Sequence, residues 1–167
     1  NDIPTMPSAS SLTICANMTA TLTATGTGIR WYADAALNNQ IATGNNYTTP
    51  ILTTNTTYYF TSTNTNGCTS TAANVTVSIE ALPNAPLAIG DTICNNESTT
   101  LTANHNGGTV RWYSEPTTTM EIGIGATFNT PNLFQTTTYF FREENANGCL
   151  SPISNVTVVV QPTPQAP

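Results

Sequence analysis

The sequence predicts an all-β chain of two tandem β-sandwich domains. Three observations carry that expectation: an internal repeat covering nearly the whole of 167 residues, apolar and polar residues alternating at period two in short segments, and a Thr-rich composition with no helical period. Thr makes up about a fifth of the chain, and its β-branched, hydroxyl-bearing side chain suits the solvent face of a strand.

The repeat is read by offset. Trp31-Tyr32 recurs as Trp112-Tyr113, Pro50 as Pro131, Leu52 as Leu133, Thr56 to Phe60 as Thr137 to Phe141, Gly67-Cys68 as Gly148-Cys149, and Asn74 to Val77 as Asn155 to Val158. Upstream, Pro4, Pro7 and Cys15 answer to Pro83, Pro86 and Cys94 at an offset shorter by two, so copy two holds two extra residues around Asn104 to Gly108. The domains expected are repeat 1 over 1–82, repeat 2 over 83–161, and a Pro-rich linker over 162–167, where Pro164 and Pro167 repeat Pro83 and Pro86 as if a third copy began. The chain thus reads as a slice of a longer array.

Alternation places strands at Ser11 to Ile14, Ala20 to Thr25, Ile29 to Ala33, Asn46 to Leu52, Thr57 to Asn64 and Asn74 to Ile79, with copy two repeating them. Turn signals such as Thr-Gly-Asn-Asn and Asn-Gly separate these segments at the spacing of a sandwich. The same alternation turns Leu22, Ile29, Trp31, Tyr58, Phe60, Val75 and Val77 inward, with Leu101, Val110, Trp112, Tyr139, Phe141, Val156 and Val158 as their counterparts. It turns Arg30, Tyr32 and Tyr59, and Arg111, Tyr113 and Phe140, outward. Leu52 followed by Thr56, Tyr58 and Phe60 resembles the corner of immunoglobulin and fibronectin type III sandwiches, in which a Tyr hydroxyl ties back to nearby backbone.

The order Thr-Ile-Cys, Thr-Leu-Thr-Ala, Trp-Tyr, Thr-Thr-Tyr-Tyr-Phe, Asn-Gly-Cys-Thr-Ser, Asn-Val-Thr-Val resembles the immunoglobulin-like repeats of large secreted and surface proteins of the Bacteroidetes. The resemblance implies two immunoglobulin/fibronectin-III-like domains in a type IX-secreted, adhesin-like protein at the bacterial cell surface. It implies spacer or adhesin modules and brings no catalytic residues. Expected partners are neighbouring repeats in the same chain and a surface polysaccharide or another surface protein. Asp91-Thr92-Ile93 looks like the Bacteroidetes O-glycosylation signal, with Thr92 as acceptor.

Charged residues are 7% of the chain, far below the roughly 25% usual in soluble domains, and the net charge is −6 with no Lys. Without a basic stripe, nucleic acid is not an expected partner. No apolar run approaches the roughly 18 residues of a membrane-spanning helix, so direct membrane insertion is not expected either.

Four Cys allow three pairings. The repeat favours Cys15 with Cys68 and Cys94 with Cys149, each bridge contributing roughly 4 kcal/mol on the loop-entropy account. Against this, Cys15 precedes the second strand of a sandwich and should sit at the end opposite Cys68, which leaves a Cys15 to Cys149 pairing open.

No Cys or His spacing suggests a metal, and no cofactor is expected. The only His, His105, lies in a turn-rich segment and reads as a solvated loop residue; Glu143-Glu144 beside Arg142 reads as a solvated strand end. An enzyme would need a nucleophile, base or acid pair in clustered form, and none is legible. The competing function is a carbohydrate-binding pair, in which the outward rings stack on sugars and the Arg residues bond their hydroxyls.

Overall fold

The structure is a computed structural model and describes residues 2–162; of the expected linker, 163–167 lie outside the described residues. The chain divides into two compact units, Asn1–Ala81 and Leu82–Pro167, and all regular structure among the described residues is β.

Unit 1 contains β1 (Ser8–Ala9), β2 (Leu12–Cys15), β3 (Thr21–Thr25), β4 (Arg30–Tyr32), β5 (Gln40–Thr43), β6 (Asn46–Thr48), β7 (Thr56–Thr61) and β8 (Ala73–Glu80). They form a five-stranded sheet, β2-β8-β7-β4-β5, and a three-stranded sheet, β1-β3-β6. All pairings are antiparallel except β2 with β8, where Leu12 lies beside Val77 and Cys15 beside Glu80.

Unit 2 repeats the plan with β9 (Leu87–Ala88), β10 (Thr92–Cys94), β11 (Thr100–Asn104), β12 (Thr109–Tyr113), β13 (Glu121–Ile124), β14 (Thr127–Asn129), β15 (Thr137–Glu144) and β16 (Ser154–Gln161). Its sheets are β10-β16-β15-β12-β13 and β14-β11-β9. The expected sandwich class is therefore the observed one.

Alternation decides which side chains meet between the sheets. Along β3, Leu22 and Ala24 are buried while Thr21, Thr23 and Thr25 are exposed, and β11 shows the same pattern. Trp31 and Phe60 are fully buried with ring centroids 4.8 Å apart; Trp112 and Phe141 stack at 4.6 Å. A buried indole N–H needs an acceptor. Trp31 Nε1 donates to the Gly44 carbonyl at 2.8 Å and Trp112 Nε1 to that of Gly125 at 2.9 Å.

Both acceptors sit in the turn that crosses from β5 to β6, or from β13 to β14, between the two sheets, where Gly44 and Gly125 have φ of +97° and +117°. That backbone conformation favours glycine.

Some segments depart from the sequence reading. β1 and β5 are absent from the expected strands: β1 has two residues, and β5, Gln-Ile-Ala-Thr, is a short edge strand without alternation. The segment expected to run to Leu52 ends at Thr48, because Thr49 turns its hydroxyl to accept from Ala20 N at 2.9 Å and Pro50 has no N–H to continue a ladder. At the corner, Tyr58 bonds the side chain of Tyr47 on β6. Leu52 is fixed instead by a backbone bridge to Met18.

The turn after β7 follows from its sequence. Asn64 Oδ1 accepts from Asn66 N at 3.0 Å and Cys68 N at 2.9 Å, and Gly67 supplies φ +81°. Asn145 does the same for Asn147 and Cys149 in unit 2.

Candidate functional site

Residues that could carry chemistry lie on the outward face of each five-stranded sheet and at the sheet end where β4 or β12 begins. In unit 1, Arg30 is exposed, and Tyr32 and Tyr59, paired across β4 and β7, are half-buried beside it. A cavity of about 330 Å³ opens at this end, lined by Gly28, Arg30, Thr43, Gly44, Thr63 and their neighbours. The Thr61 hydroxyl, opposite Arg30, is buried and lacks a hydrogen-bond partner.

Unit 2 builds the same face differently. Arg111 Nε donates to Glu144 Oε2 at 2.5 Å and its Nη1 to Glu121 Oε2 at 2.9 Å. The two carboxylates hold the guanidinium even further above neutral than usual, Glu144 contributing most. Arg142 takes the place of Thr61. Its guanidinium lies 5.3 Å from the Tyr113 ring centroid and its Nε donates to the Tyr113 hydroxyl at 3.3 Å.

Tyr113 is consequently only 3% exposed. The expectation that Tyr113 faces ligand is corrected: strand alternation points it outward, but the Arg142 stem and head cover it. Phe140 stays half-buried on that face, across from Tyr113.

The reading of Glu143 as a solvated strand end is also corrected, whereas His105 lies in an exposed loop as expected. Glu143 is 1% exposed, and its carboxylate accepts from Asn106 N at 3.0 Å and Gly108 N at 2.6 Å, clamping the loop that carries the two extra residues of copy two. The His105 ring is a quarter exposed, with Nδ1 3.8 Å from Glu143 Oε1. In copy one the position of Glu143 is Ser62, whose hydroxyl donates to Thr27 O at 2.8 Å across the shorter loop. The sequence did hold a signal for this clamp, since the one inserted loop coincides with a Ser-to-Glu exchange between copies.

The cysteines do not pair within each copy. Cys68 and Cys94 are free thiols, while Cys15 and Cys149 are disulfide-bonded. The reason is the length of β8. Cys15 lies beside Glu80 at its last residue, whereas Cys68 sits in the turn leading to its first, Ala73. The seven steps of ~3.3 Å between its first and last residues separate these ends by about 23 Å, and a disulfide requires Cα atoms within about 7 Å. Cys94 beside Gln161 and Cys149 ahead of Ser154 repeat the geometry on β16.

Thr92 is exposed at the start of β10, its N–H donating to Asp91 Oδ1 at 2.8 Å. The Thr99 hydroxyl bonds the other Asp91 oxygen at 2.5 Å, and these contacts, that of Thr99 first, hold the Asp91 carboxyl below its usual range. No group of three or more His, Cys, Asp or Glu among the described residues could hold a metal ion. Among the described residues no helix is long and apolar enough to cross a membrane.

Two facing sheets with a buried Trp on the fourth strand and a parallel pairing of the second strand with the last define an immunoglobulin-like sandwich, present twice. The family of CHU_C-associated Ig-like domains matches residues 4–80 and again 83–162, and the chain belongs to that family. No curated protein matches. Among solved structures, the fibronectin(III)-like modules of Clostridium thermocellum CbhA are similar at 12% identity and TM-score 0.48, over 94% of this chain and 95% of that one. Titin domains A168–A170 are similar at 13% identity and TM-score 0.46, over 96% and 68%.

Proposed function

We propose that the pair is a non-catalytic spacer or stalk, or an adhesin module, within a larger secreted or cell-surface protein of the Bacteroidetes type, exported by type IX secretion. The observation that carries this is the division of labour between the copies. Their cores keep Leu22, Trp31, Leu52, Tyr58, Phe60, Val75 and Val77 unchanged as Leu101, Trp112, Leu133, Tyr139, Phe141, Val156 and Val158, whereas Thr61/Arg142, Ser62/Glu143 and Thr63/Glu144 differ. A catalytic constellation would have to survive in at least one copy, and neither assembles a nucleophile with a base.

A Thr-rich surface with few charges limits nonspecific adhesion, and Pro pairs ahead of each repeat stiffen the chain. Disulfide-bonded Cys15 and Cys149 suit an oxidising compartment and thus an extracellular location. The partners are then the flanking repeats and the surface polymer or protein that a distal domain engages. Thr92, exposed and preceded by an Asp, is the proposed O-glycosylation acceptor.

The test is replacement in the full-length protein. Exchanging the pair for two unrelated sandwich domains of equal length should leave display and activity of the distal region intact, while deleting the pair should impair them. Loss of function on replacement, together with retention of the isolated pair on cellulose or chitin, would overturn the spacer reading and favour the carbohydrate-binding one. That second reading gains nothing from a shared surface, because buried Tyr113 does not offer copy two the ring that Tyr32 offers copy one.

A further inference from the structure

One position is treated in opposite ways by the two repeats. Arg111 on β12 is saturated by two carboxylates, Glu144 at 2.5 Å and Glu121 at 2.9 Å. Arg30 holds the same place on β4, but the residues answering to Glu144 and Glu121 are Thr63 and Gln40. Among the described residues no ion pair involves Arg30. Repeat 2 therefore displays, within its own chain, what an Arg at this register position takes: carboxylate oxygens approaching Nε and Nη1.

In repeat 1 the residue answering to Glu144, Thr63, lies on the wall of the cavity of about 330 Å³ that Arg30 also lines, whereas Gln40 does not line it. Two of its walls, Gly28 and Gly44, carry no side chain, and a Cβ on Gly44 would meet nothing within 4 Å. Thr43, the cross-strand partner of Arg30, offers a hydroxyl, and so does Thr63, whose hydroxyl is shared with that of Thr69 at 3.4 Å. Asn64 is engaged elsewhere through one Nδ2 N–H, which bonds Asp2 O, and through Oδ1, which holds the Asn66 and Cys68 amides.

We propose that repeat 1 carries a receptor for the carboxylate of an acidic sugar, with Arg30 as its cationic partner and Thr43 and Thr63 as hydroxyl contacts. Repeat 2 closes the equivalent receptor with its own Glu144 and Glu121. A guanidinium matches a carboxylate by paired N–H donors. A cavity at the small end of the ~300–1,000 Å³ of ligand sites takes a single ring rather than a protein surface, which favours a uronate over an acidic side chain presented by a folded partner. Tyr32 and Tyr59, on the same sheet face one strand step away, offer half-buried rings against which the next sugar can pack. The chain carries −6, so a polyanion is repelled at long range and binds best where salt screens that repulsion. The inference stands apart from the spacer reading, which its failure would leave untouched.

The experiment titrates the whole 167-residue chain, isotope-labelled, with tetragalacturonate, its methyl ester and a Glu-containing tetrapeptide, at physiological ionic strength. The Arg30 Nε–H and Gly44 amide resonances should shift and saturate, with an affinity on the order of millimolar. The ester should bind at least about 10-fold more weakly, the loss expected for a charge-assisted hydrogen bond, and the peptide should give no saturable shift.

Arg30→Gln should abolish the response. So should Thr63→Glu, which installs an internal carboxylate where repeat 2 has one, with the Trp31 indole N–H resonance reporting that the fold is intact. In the reverse direction, Glu144→Thr with Glu121→Gln should make Arg111 responsive. Any one of four results overturns the proposal: no shift at Arg30, equal shifts with the ester, persistence in Arg30→Gln, or peptide binding equal to the uronate, the last indicating a protein carboxylate instead.

Discussion

Replacing Glu143 tests how repeat 2 accommodates a loop two residues longer than that of repeat 1. The carboxylate is buried and receives two backbone N–H donors, from Asn106 at 3.0 Å and Gly108 at 2.6 Å. Hydrogen bonds to a charged acceptor contribute roughly 1.5–3 kcal/mol each. Asn106 is exposed and Gly108 half-buried, so water can recover part of the loss once the side chain is gone. Glu143→Ala should therefore destabilise repeat 2 by about 2–4 kcal/mol. Glu143→Gln, which keeps one acceptor but turns an NH2 toward the second donor, should cost about 1–2 kcal/mol.

The assay is urea denaturation followed by NMR through the two indole N–H signals, because each repeat has one Trp with its N–H bonded to a turn carbonyl. The Trp112 transition should move and the Trp31 transition should not. A rescue sharpens the test: Glu143→Ser combined with removal of two loop residues between Asn104 and Gly108 restores the arrangement of repeat 1, where Ser62 bonds Thr27, and should recover more than half the loss. A Trp112 midpoint unchanged within about 0.5 kcal/mol, or an equal fall in both repeats, would refute the clamp.

Three further outcomes are expected. Alkylation before reduction should label Cys68 and Cys94 and leave Cys15 and Cys149 protected; recovery of a Cys15–Cys68 peptide would contradict the strand geometry. Asp34, Asp91 and Glu115 are each held below their usual values, Asp34 chiefly by the Asn38 amide, Asp91 by the Thr99 hydroxyl and Glu115 by the Thr119 hydroxyl. Depressed folded-state values stabilise the fold above the ordinary carboxyl range and lose that contribution as pH falls through them, so thermal midpoints should decline below about pH 4, and Asp91→Asn should flatten the decline. Tyr58 is pushed up to about 12, first by burial and then by Tyr47, so its stabilising effect is complete below the ordinary phenol value of 10.0 and lost as pH rises through about 12. Ultraviolet titration should show a phenol ionising well above 10.0, and Tyr47→Phe should bring it down.

The sandwich was legible because its signals are periodic and doubled. Leu22, Trp31, Phe60 and Val77 are buried as alternation requires, and each has a counterpart that packs the same way. The outward face was less legible because alternation gives direction and not cover. Tyr113 points away from the core and is still buried, since a neighbouring strand brings Arg142 over it. Glu143 lies on the inward side of β15 beyond the last aromatic, where alternation also holds, but its acidic character suggested solvent. Only the backbone donors of the distant loop make its burial tolerable.

The differences between the copies are coupled in a way that bears on function. Arg142 stands directly opposite Arg111, a like-charge pair that would be unfavourable alone. Glu144 and Glu121 offset it, so the Thr61/Arg142, Thr63/Glu144 and Gln40/Glu121 exchanges form one network, in which Arg142 would be unfavourable without the two carboxylates. Core positions leave no such freedom, because Trp31 and Phe60 meet at contact distance and neither can change size without opening a void or a clash. A module used only for length could drift singly at exposed positions. That repeat 2 changes as a set, and that the set closes an opening kept in repeat 1, distinguishes the two surfaces and makes Arg30 the position at which a specific contact is expected.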